Sequence, residues 1–190
     1  MNMAPRRPDG TGAFPKPVES SAPHSPDPNA LYAALDLGTN SCRMLIAHPK
    51  GSQFHVVDSF SKSVQLGHGL ERTGRLSRAS MSRTIGALHV CQQKIRRHEV
   101  TRMRLVATEA CRRAKNAREF IRQVRRETGL TLEIIQPEEE ARLAVISCAP
   151  LVSTRTEQLL VVDIGGGSTE LVWIDLGSVP ARDRPRAIMR

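Results

Sequence analysis

The sequence predicts an α/β fold in which helices flank a mixed sheet. Apolar runs of strand length alternate along the chain with segments whose apolar residues recur at helical spacing. At two places an apolar run stops at Asp-x-Gly and a second run follows a few residues later, which indicates a hairpin. Hydrophobic residues make up 39% of the 190 and charged residues 25%, so we expect a globular domain with its own core.

Local patterns place the elements in order. An apolar run at 31–35 and its return at 43–48 predict a hairpin, and 54–61 predicts a third antiparallel strand whose register stays open because its alternation is uneven. The later patterns predict helices at 77–98, at 116–128 with Gly129 as its end, and from Pro137 to near Pro150, strands at 103–107 and 132–135, and a hairpin at 158–164 and 170–174.

Composition divides the chain into three parts. Residues 1–29 hold seven of the 12 prolines among serine, glycine and charge, which predicts a disordered tail. Residues 30–150 contain the alternating elements and form the first lobe. Residues 151–190 contain the second hairpin and a polar, basic tail, which we expect to be the start of a second lobe.

The charge balance favours an anionic partner. The chain has 28 Lys and Arg against 19 Asp and Glu, and the excess lies between residues 72 and 126. Nucleic acid, polyphosphate, an acidic membrane or a merely solvated face would each account for it. Aromatics are only 3%, which is few for stacking single-stranded bases. The four cysteines show no zinc or disulfide spacing.

Membrane association is not expected from the sequence. The longest apolar stretch, residues 143–152, is far shorter than the roughly 20 residues of a membrane helix. No apolar segment follows the arginines near the amino terminus, so a secretory signal is not predicted. We therefore expect a cytoplasmic protein.

Two glycine-rich loops carry the predicted chemistry: the first loop, Asp36–Ser41, and the second loop, Asp163–Thr169. In each, an apolar strand ends in Asp, one residue, a glycine and then small polar side chains. Glycine lets backbone N–H groups approach phosphate oxygens, and Asp36 and Asp163 are candidates to hold Mg²⁺. The candidate phosphate-binding residues are Gly38, Thr39, Asn40 and Ser41 in the first loop and Gly165, Gly166, Gly167, Ser168 and Thr169 in the second.

One such hairpin alone is more often a plain turn than a binding site. Two of them, far apart in the sequence, predict a pair of lobes that close on one phosphate chain. Other known phosphate-binding motifs fit the sequence less well. A Walker loop would need Gly-Lys-Ser/Thr, which is absent, and a dinucleotide-binding fingerprint that began at Gly165 would need a glycine at the position of Glu170.

Four stretches together resemble the exopolyphosphatase and guanosine pentaphosphate phosphohydrolase (Ppx/GppA) family of the actin-like ATPase superfamily. They are Ala34–Ser41, Ala107–Asn116, Gln136–Leu143 and Leu160–Leu171. The resemblance implies a duplicated ribonuclease-H-like fold and a Mg²⁺-dependent hydrolase that releases terminal phosphate from inorganic polyphosphate or guanosine pentaphosphate. For a full-length form, the resemblance also allows a homodimer.

The resemblance also assigns roles to single residues. Glu140, just before Ala-Arg-Leu, would activate the attacking water as a general base. The other assignments are Arg112 for the phosphate chain, Thr108 and Asn116 for the turn beside it, and Asp163 and Glu170 for metal and water at the second loop.

The residues around Glu140 also have a structural interpretation. Glu138, Glu139 and Glu140 lie in the first turn of a helix, where the helix dipole stabilises carboxylates, and Glu138 is expected to pair with Arg142. We favour this structural role for Glu138 and Glu139.

We expect the second lobe to be truncated to its opening hairpin. A lone hairpin is marginally stable in water, so the second loop is not expected to be held in an active geometry, and the chain should bind phosphates weakly and hydrolyse them poorly. The sequence does not choose between the two substrates. The alternatives are a non-catalytic basic module that binds nucleic acid through residues 72–126 and, less favoured, an actin-like kinase.

Overall fold

The computed structural model describes residues 30–50, 53–100 and 102–188, so the tail predicted to be disordered lies outside the described residues. Its elements are β1 (Tyr32–Leu37), β2 (Ser41–Lys50), β3 (Gln53–Ser63), α1 (Leu70–Thr73), α2 (Arg78–Arg97), β4 (Arg102–Ala107), α3 (Glu109–Arg113), α4 (Ala117–Thr128), β5 (Glu133–Ile134), α5 (Pro137–Ser147), β6 (Gln158–Ile164), β7 (Thr169–Asp175) and α6 (Arg184–Ala187), with 3₁₀ turns at Ala149–Leu151 and Ala181–Asp183.

The strands and helices predicted between residues 31 and 135 form one mixed sheet with helices packed against it, as expected. The strand order is β3-β2-β1-β4-β5; β1, β2 and β3 are antiparallel, whereas β4 and β5 run parallel to β1. The open register of the third strand is settled by a bulge in β3: Ile46 pairs with Asp58 and Ala47 with Val56, which leaves Val57 as the extra residue. The short helices α1 and α3 were not predicted.

The main core joins this sheet to α2 and α4. Helix α2 begins after Ser77, whose hydroxyl oxygen accepts a hydrogen bond from the Ser80 backbone N–H at 3.1 Å. Helix α4 ends at Gly129, which has the left-handed φ of 74° that favours glycine at this position. Both boundaries agree with the sequence prediction, and α2 packs on β2, β3 and α4.

The alternation of β1 decides which side chains reach the site. Ala33, Leu35 and Leu37 are buried in the main core, and the intervening Ala34 and Asp36 face the opposite side of the sheet. The Asp that ends the first strand is therefore turned away from the core.

The second hairpin is not isolated, contrary to the expectation from the sequence. Strands β6 and β7 pack on the carboxyl end of α5 and on the segment after β7, around a separate core. Its buried members are Val145, Ala149, Val152, Val161, Leu176 and Ile188. Leu176 directly follows the hairpin, and Ile188 comes from the tail that was predicted to be merely polar and basic; both help to hold the hairpin in place.

The outer face of the same hairpin is open to solvent. Leu160 lies opposite Trp173 and Val162 opposite Leu171, and all four are about half exposed or more. No helix in the described part of the chain is long and apolar enough to cross a membrane.

Candidate active site

The two glycine-rich loops are the same turn built twice. In the first, the Gly38 N–H donates to the Ser41 carbonyl at 3.0 Å; in the second, the Gly165 N–H donates to the Ser168 carbonyl at 2.9 Å. Each turn joins two paired antiparallel strands, β1 with β2 and β6 with β7. The match inferred from the sequence therefore extends to backbone hydrogen bonding.

The loops also touch each other. A Cβ added at Gly166 would lie 2.5 Å from Asn40 Nδ2, and one added at Gly167 would lie 2.7 Å from Thr39 Oγ1. Neither glycine has the positive φ that only glycine adopts readily. The absence of a side chain at Gly166 and Gly167 consequently makes room for the first loop, a role that the sequence patterns did not predict.

Four backbone N–H groups at this contact are free to bind a ligand. Within the described residues, the N–H groups of Thr39, Asn40, Gly166 and Gly167 donate to no protein acceptor. Successive N–H groups of this kind form a concave site that favours anions. The contact thus presents donors from both loops to the same space.

A cleft of about 370 Å³ lies against the loops and collects most of the predicted site residues. Those that line it are Asp36, Gly38, Thr39, Asn40, Ser41, Thr108, Glu140, Asp163, Gly165, Gly166, Gly167 and Ser168. Four predicted residues, Arg112, Asn116, Thr169 and Glu170, do not line it. Arg43 lines the cleft although the sequence analysis missed it; its position opposite Asp36 in the hairpin was the available signal.

Asp36 lies among charges of both signs. Partial burial raises its pKa, the negative charges of Glu140 and Asp163 raise it further, and the positive charge of Arg43 opposes them. Three carboxylates from distant parts of the chain therefore share one cleft. Among the described residues, no three His, Cys, Asp or Glu side chains form a ready-made metal-binding group.

Glu140 is held by Arg112. The Arg112 Nη1 donates to Glu140 Oε2 at 2.7 Å and to the Ile135 carbonyl at 3.0 Å, while Nε and Nη2 donate to Glu109 Oε2 at 3.1 and 3.0 Å. The Arg112 side chain is only 10% exposed. One oxygen of Glu140 is thus fixed from behind, and the carboxylate faces the cleft.

This arrangement differs from the role assigned to Arg112 by the resemblance. The guanidinium binds two carboxylates and a carbonyl, and Arg112 is not among the residues that line the cleft. Its hydrogen bonds to Glu109 and Glu140 raise the pKa of Arg112 against the lowering effect of burial, so the group stays charged. Arg112 therefore orients a carboxylate in the described structure.

Two other predicted residues shape the backbone near the site. Thr108 is buried, and its N–H donates to the Leu37 carbonyl at 3.2 Å, which ties the end of β4 to the start of the first loop. The Asn116 side chain accepts from the Leu76 N–H at 2.8 Å and donates to the Leu76 carbonyl at 3.1 Å. Glu170 lies directly opposite Asp163 on β7 but outside the cleft.

The expected pair of Glu138 and Arg142 does not form. Arg142 instead binds Glu139, with 2.7 Å between Nε and Oε2. Glu139 also accepts from Arg104 of β4 at 2.7 Å, and these bonds lower its pKa to about 2. Glu139 lies between the two arginines and can satisfy both, whereas Glu138 points to solvent.

A segment missed by the sequence analysis supports the first loop. The Val64 and Gln65 N–H groups donate to the Asn40 carbonyl at 2.8 and 2.9 Å, and the Gly67 N–H donates to the Thr39 carbonyl at 3.0 Å. Gln65 has a φ of 47°, which is uncommon for a residue with a side chain. These bonds use main-chain atoms, so residue types gave no sign of them.

Comparison with known proteins identifies the family of the chain. A family model described as the Ppx/GppA phosphatase family matches residues 45–181. The chain belongs to this family. Its fold is that of the actin-like ATPase family members, as the resemblance implied.

Solved Ppx/GppA structures support the assignment. The chain is 39% identical to the Aquifex aeolicus family member, with a TM-score of 0.67 over 77% of this chain and 47% of that one. It is 34% identical to an exopolyphosphatase-like protein, with a TM-score of 0.73 over 80% and 47%. An exopolyphosphatase from Cytophaga hutchinsonii, at 24% identity, shares the fold with a TM-score of 0.70 over 81% and 53%. The chain spans about half the length of the structures it matches.

Proposed function

We propose that the cleft binds the terminal phosphate of a phosphoanhydride chain and that Glu140 directs a water molecule at it, as in an exopolyphosphatase or guanosine pentaphosphate phosphohydrolase. One observation carries the proposal. Two identical turns from distant parts of the chain meet with their free N–H groups beside a carboxylate that an arginine holds in place. Phosphoryl transfer depends mainly on such positioning and on electrostatics.

Binding would rest on neutral donors and one cation. The free N–H groups of the loop contact and the hydroxyl groups of Thr39, Ser41 and Ser168 are suited to phosphate oxygens. Arg43 adds a positive charge on the cleft wall. Because donors come from both loops, a bound phosphate would hold the loops together.

Glu140 would act as the general base. Its Oε2 accepts from Arg112, whereas Oε1 has no hydrogen-bond partner among the described residues. Oε1 is therefore available to accept a proton from water as the water attacks phosphorus. Arg112 would serve as a positioning residue, since it limits the rotation of the carboxylate.

The residues also fit Mg²⁺. Asp36 and Asp163 would hold it, because Mg²⁺ commonly binds one or two carboxylates together with waters and substrate phosphates rather than a complete protein cage. The raised pKa of Asp36 reflects burial and like charges that a cation would offset. When bound, the ion neutralises charge on the phosphoryl oxygens.

The test is Mg²⁺-dependent phosphate release from polyphosphate by the purified chain and its Glu140→Gln variant. We expect slow release by this chain and a roughly 10²- to 10⁴-fold fall in the variant, which keeps the shape but cannot take a proton. Glu138→Gln is the matched control, because Glu138 is exposed in the same helical turn and should leave the rate unchanged. Equal rates for Glu140→Gln and the parent chain would rule out the base.

A further inference from the structure

The five-stranded sheet has an outer face, opposite the main core, that is open where β1 begins. A cavity of about 640 Å³ lies there, and its lining residues all belong to β1, β2, β3 and β4, so no helix of the described chain covers it. Phe54 of β3 lines the cavity and is 63% exposed. Parallel strands, such as β1 and β4, normally have both faces covered. Another segment is therefore expected to cover this cavity.

The wall of the cavity combines aromatic surface with unpaired polar groups. Tyr32 lines it, and the hydroxyl oxygen of Tyr32 is buried without a hydrogen-bond partner among the described residues. Buried tyrosine hydroxyls usually have a partner, so this one is suited to donate to a carbonyl of a covering segment. Arg102 lies next to it, with the guanidinium carbon 6.0 Å from the centre of the Tyr32 ring, and within the described ranges it pairs with no carboxylate.

The segment that immediately precedes β1 has a matching composition. Residues 23–29 read Pro-His-Ser-Pro-Asp-Pro-Asn, and the described chain begins one residue later, at Ala30. Pro-x-x-Pro segments favour the polyproline II conformation, whose carbonyls are free because it has no internal hydrogen bonds. Seven residues at about 3.1 Å each extend roughly 20 Å. Four strands about 4.8 Å apart span roughly 14 Å, so this segment is long enough to cross the cavity.

We propose that residues 23–29 of this chain bind in the cavity and cover the outer face of β1. Proline rings would pack on Tyr32 and Phe54, as in the aromatic grooves that bind Pro-x-x-Pro segments. A carbonyl of the segment would accept from the Tyr32 hydroxyl, and Asp27 would pair with Arg102. Because the segment is attached close to Tyr32, its effective concentration at the cavity is high. The cavity shares no lining residue with the cleft, so this inference does not depend on the proposed function.

The test uses the full 190-residue chain, in which Tyr32 is the only tyrosine. Isotope labelling of tyrosine therefore gives a single ring spin system by NMR. We expect nuclear Overhauser contacts between this ring and proline side chains of the segment. Pro23→Ala/Pro26→Ala should remove these contacts and shift the Tyr32 signals, and Asp27→Lys should also shift them, because the lysine repels Arg102.

Pro5→Ala/Pro8→Ala is the matched control. It removes the prolines of a second Pro-x-x-Pro in the same tail, far from β1 in the sequence, and should leave the Tyr32 signals unchanged. All four prolines precede β1, so both double variants should keep the fold, which circular dichroism checks.

Two results would overturn the inference. Unchanged Tyr32 signals in Pro23→Ala/Pro26→Ala, or an equal shift in the control, would show that residues 23–29 do not bind the cavity. Signals that change with protein concentration instead would show that a second copy of the chain covers it. Phosphate release should be the same in all of these variants, so a failure of the proposed function would leave this test unaffected.

Discussion

Replacing Gly166 with alanine is expected to force the two loops apart. The added Cβ would lie 2.5 Å from Nδ2, 2.7 Å from Cγ and 3.0 Å from Cβ of Asn40. Because non-bonded carbon atoms settle about 3.5 to 4.0 Å apart, the end of the Asn40 side chain must turn away and the contact must open by about 0.5 to 1 Å at its Cβ. Overpacking of this kind lowers the free energy of unfolding by about 1 to 3 kcal/mol. For a chain of this size the Tm should fall by roughly 2 to 12 °C.

Thermal unfolding monitored by circular dichroism measures this effect, with Gly86→Ala as the control. Gly86 lies on α2, and no atom lies within 4 Å of the position its Cβ would take. Alanine there should raise the free energy of unfolding by about 0.5 to 1 kcal/mol, because glycine is the more costly residue in a helix. The two glycine substitutions are thus expected to act in opposite directions.

A double-mutant cycle tests whether Asn40 is the cause. Asn40→Ala removes the two atoms nearest the added Cβ, so Gly166→Ala should cost at least about 1 kcal/mol less in that background. Tripolyphosphate binding should follow the same order, since a displacement of about 1 Å at a site can cost about 10²-fold. An unchanged Tm for Gly166→Ala, or an equal loss with and without Asn40, would show that the loops do not meet as described.

Two further predictions concern pH. Hydrogen bonds from Lys94 and then His98 lower the pKa of Asp58 to about 2, so its ion pairs stabilise the fold above its ordinary pKa of 3.8 and are lost toward pH 2. Asp58→Asn should therefore lower the Tm at pH 7 by a margin that shrinks below pH 4; a constant margin would contradict this. The pKa of Asp36 is raised instead, so with a chelator present Asp36→Asn should raise the Tm at pH 7 and lose this advantage below about pH 4, where the carboxyl group is protonated in both the folded and the unfolded chain. A lower Tm at pH 7 would refute it.

The sequence predicted those helices and strands that depend on residues close to one another in the chain. Helix α2 follows from Ser77 and from apolar residues at helical spacing, and α4 follows from its end at Gly129. The hairpins follow from apolar runs on either side of Asp-x-Gly. In each case the signal and the structure lie within a few residues of each other.

The features that the sequence did not predict join distant segments. The contact of Gly166 with Asn40 depends on how the second hairpin packs, and that packing depends on Leu176 and Ile188 in a segment with few apolar residues. The hydrogen bonds from the 64–67 backbone to the first loop involve no particular side chain. Arg112 was assigned to the site by the resemblance, and nothing in the sequence indicated its ion pair with Glu140, which lies on another helix.

Strand pairing on both sides of each four-residue turn restricts changes in the length of the loop more than changes in its composition. Side chains alternate along β1, so a slip of one residue against β2 would bring Leu37 to the position of Asp36 and turn the carboxylate toward the core. On β6 the sides are reversed: Asp163 shares a face with the buried Val161, so a slip there would turn its carboxylate to the exposed face of Leu160 and Val162. A substitution at one polar residue of a loop changes the cleft at that position only. A single insertion or deletion that shifted the pairing would remove a carboxylate from it altogether.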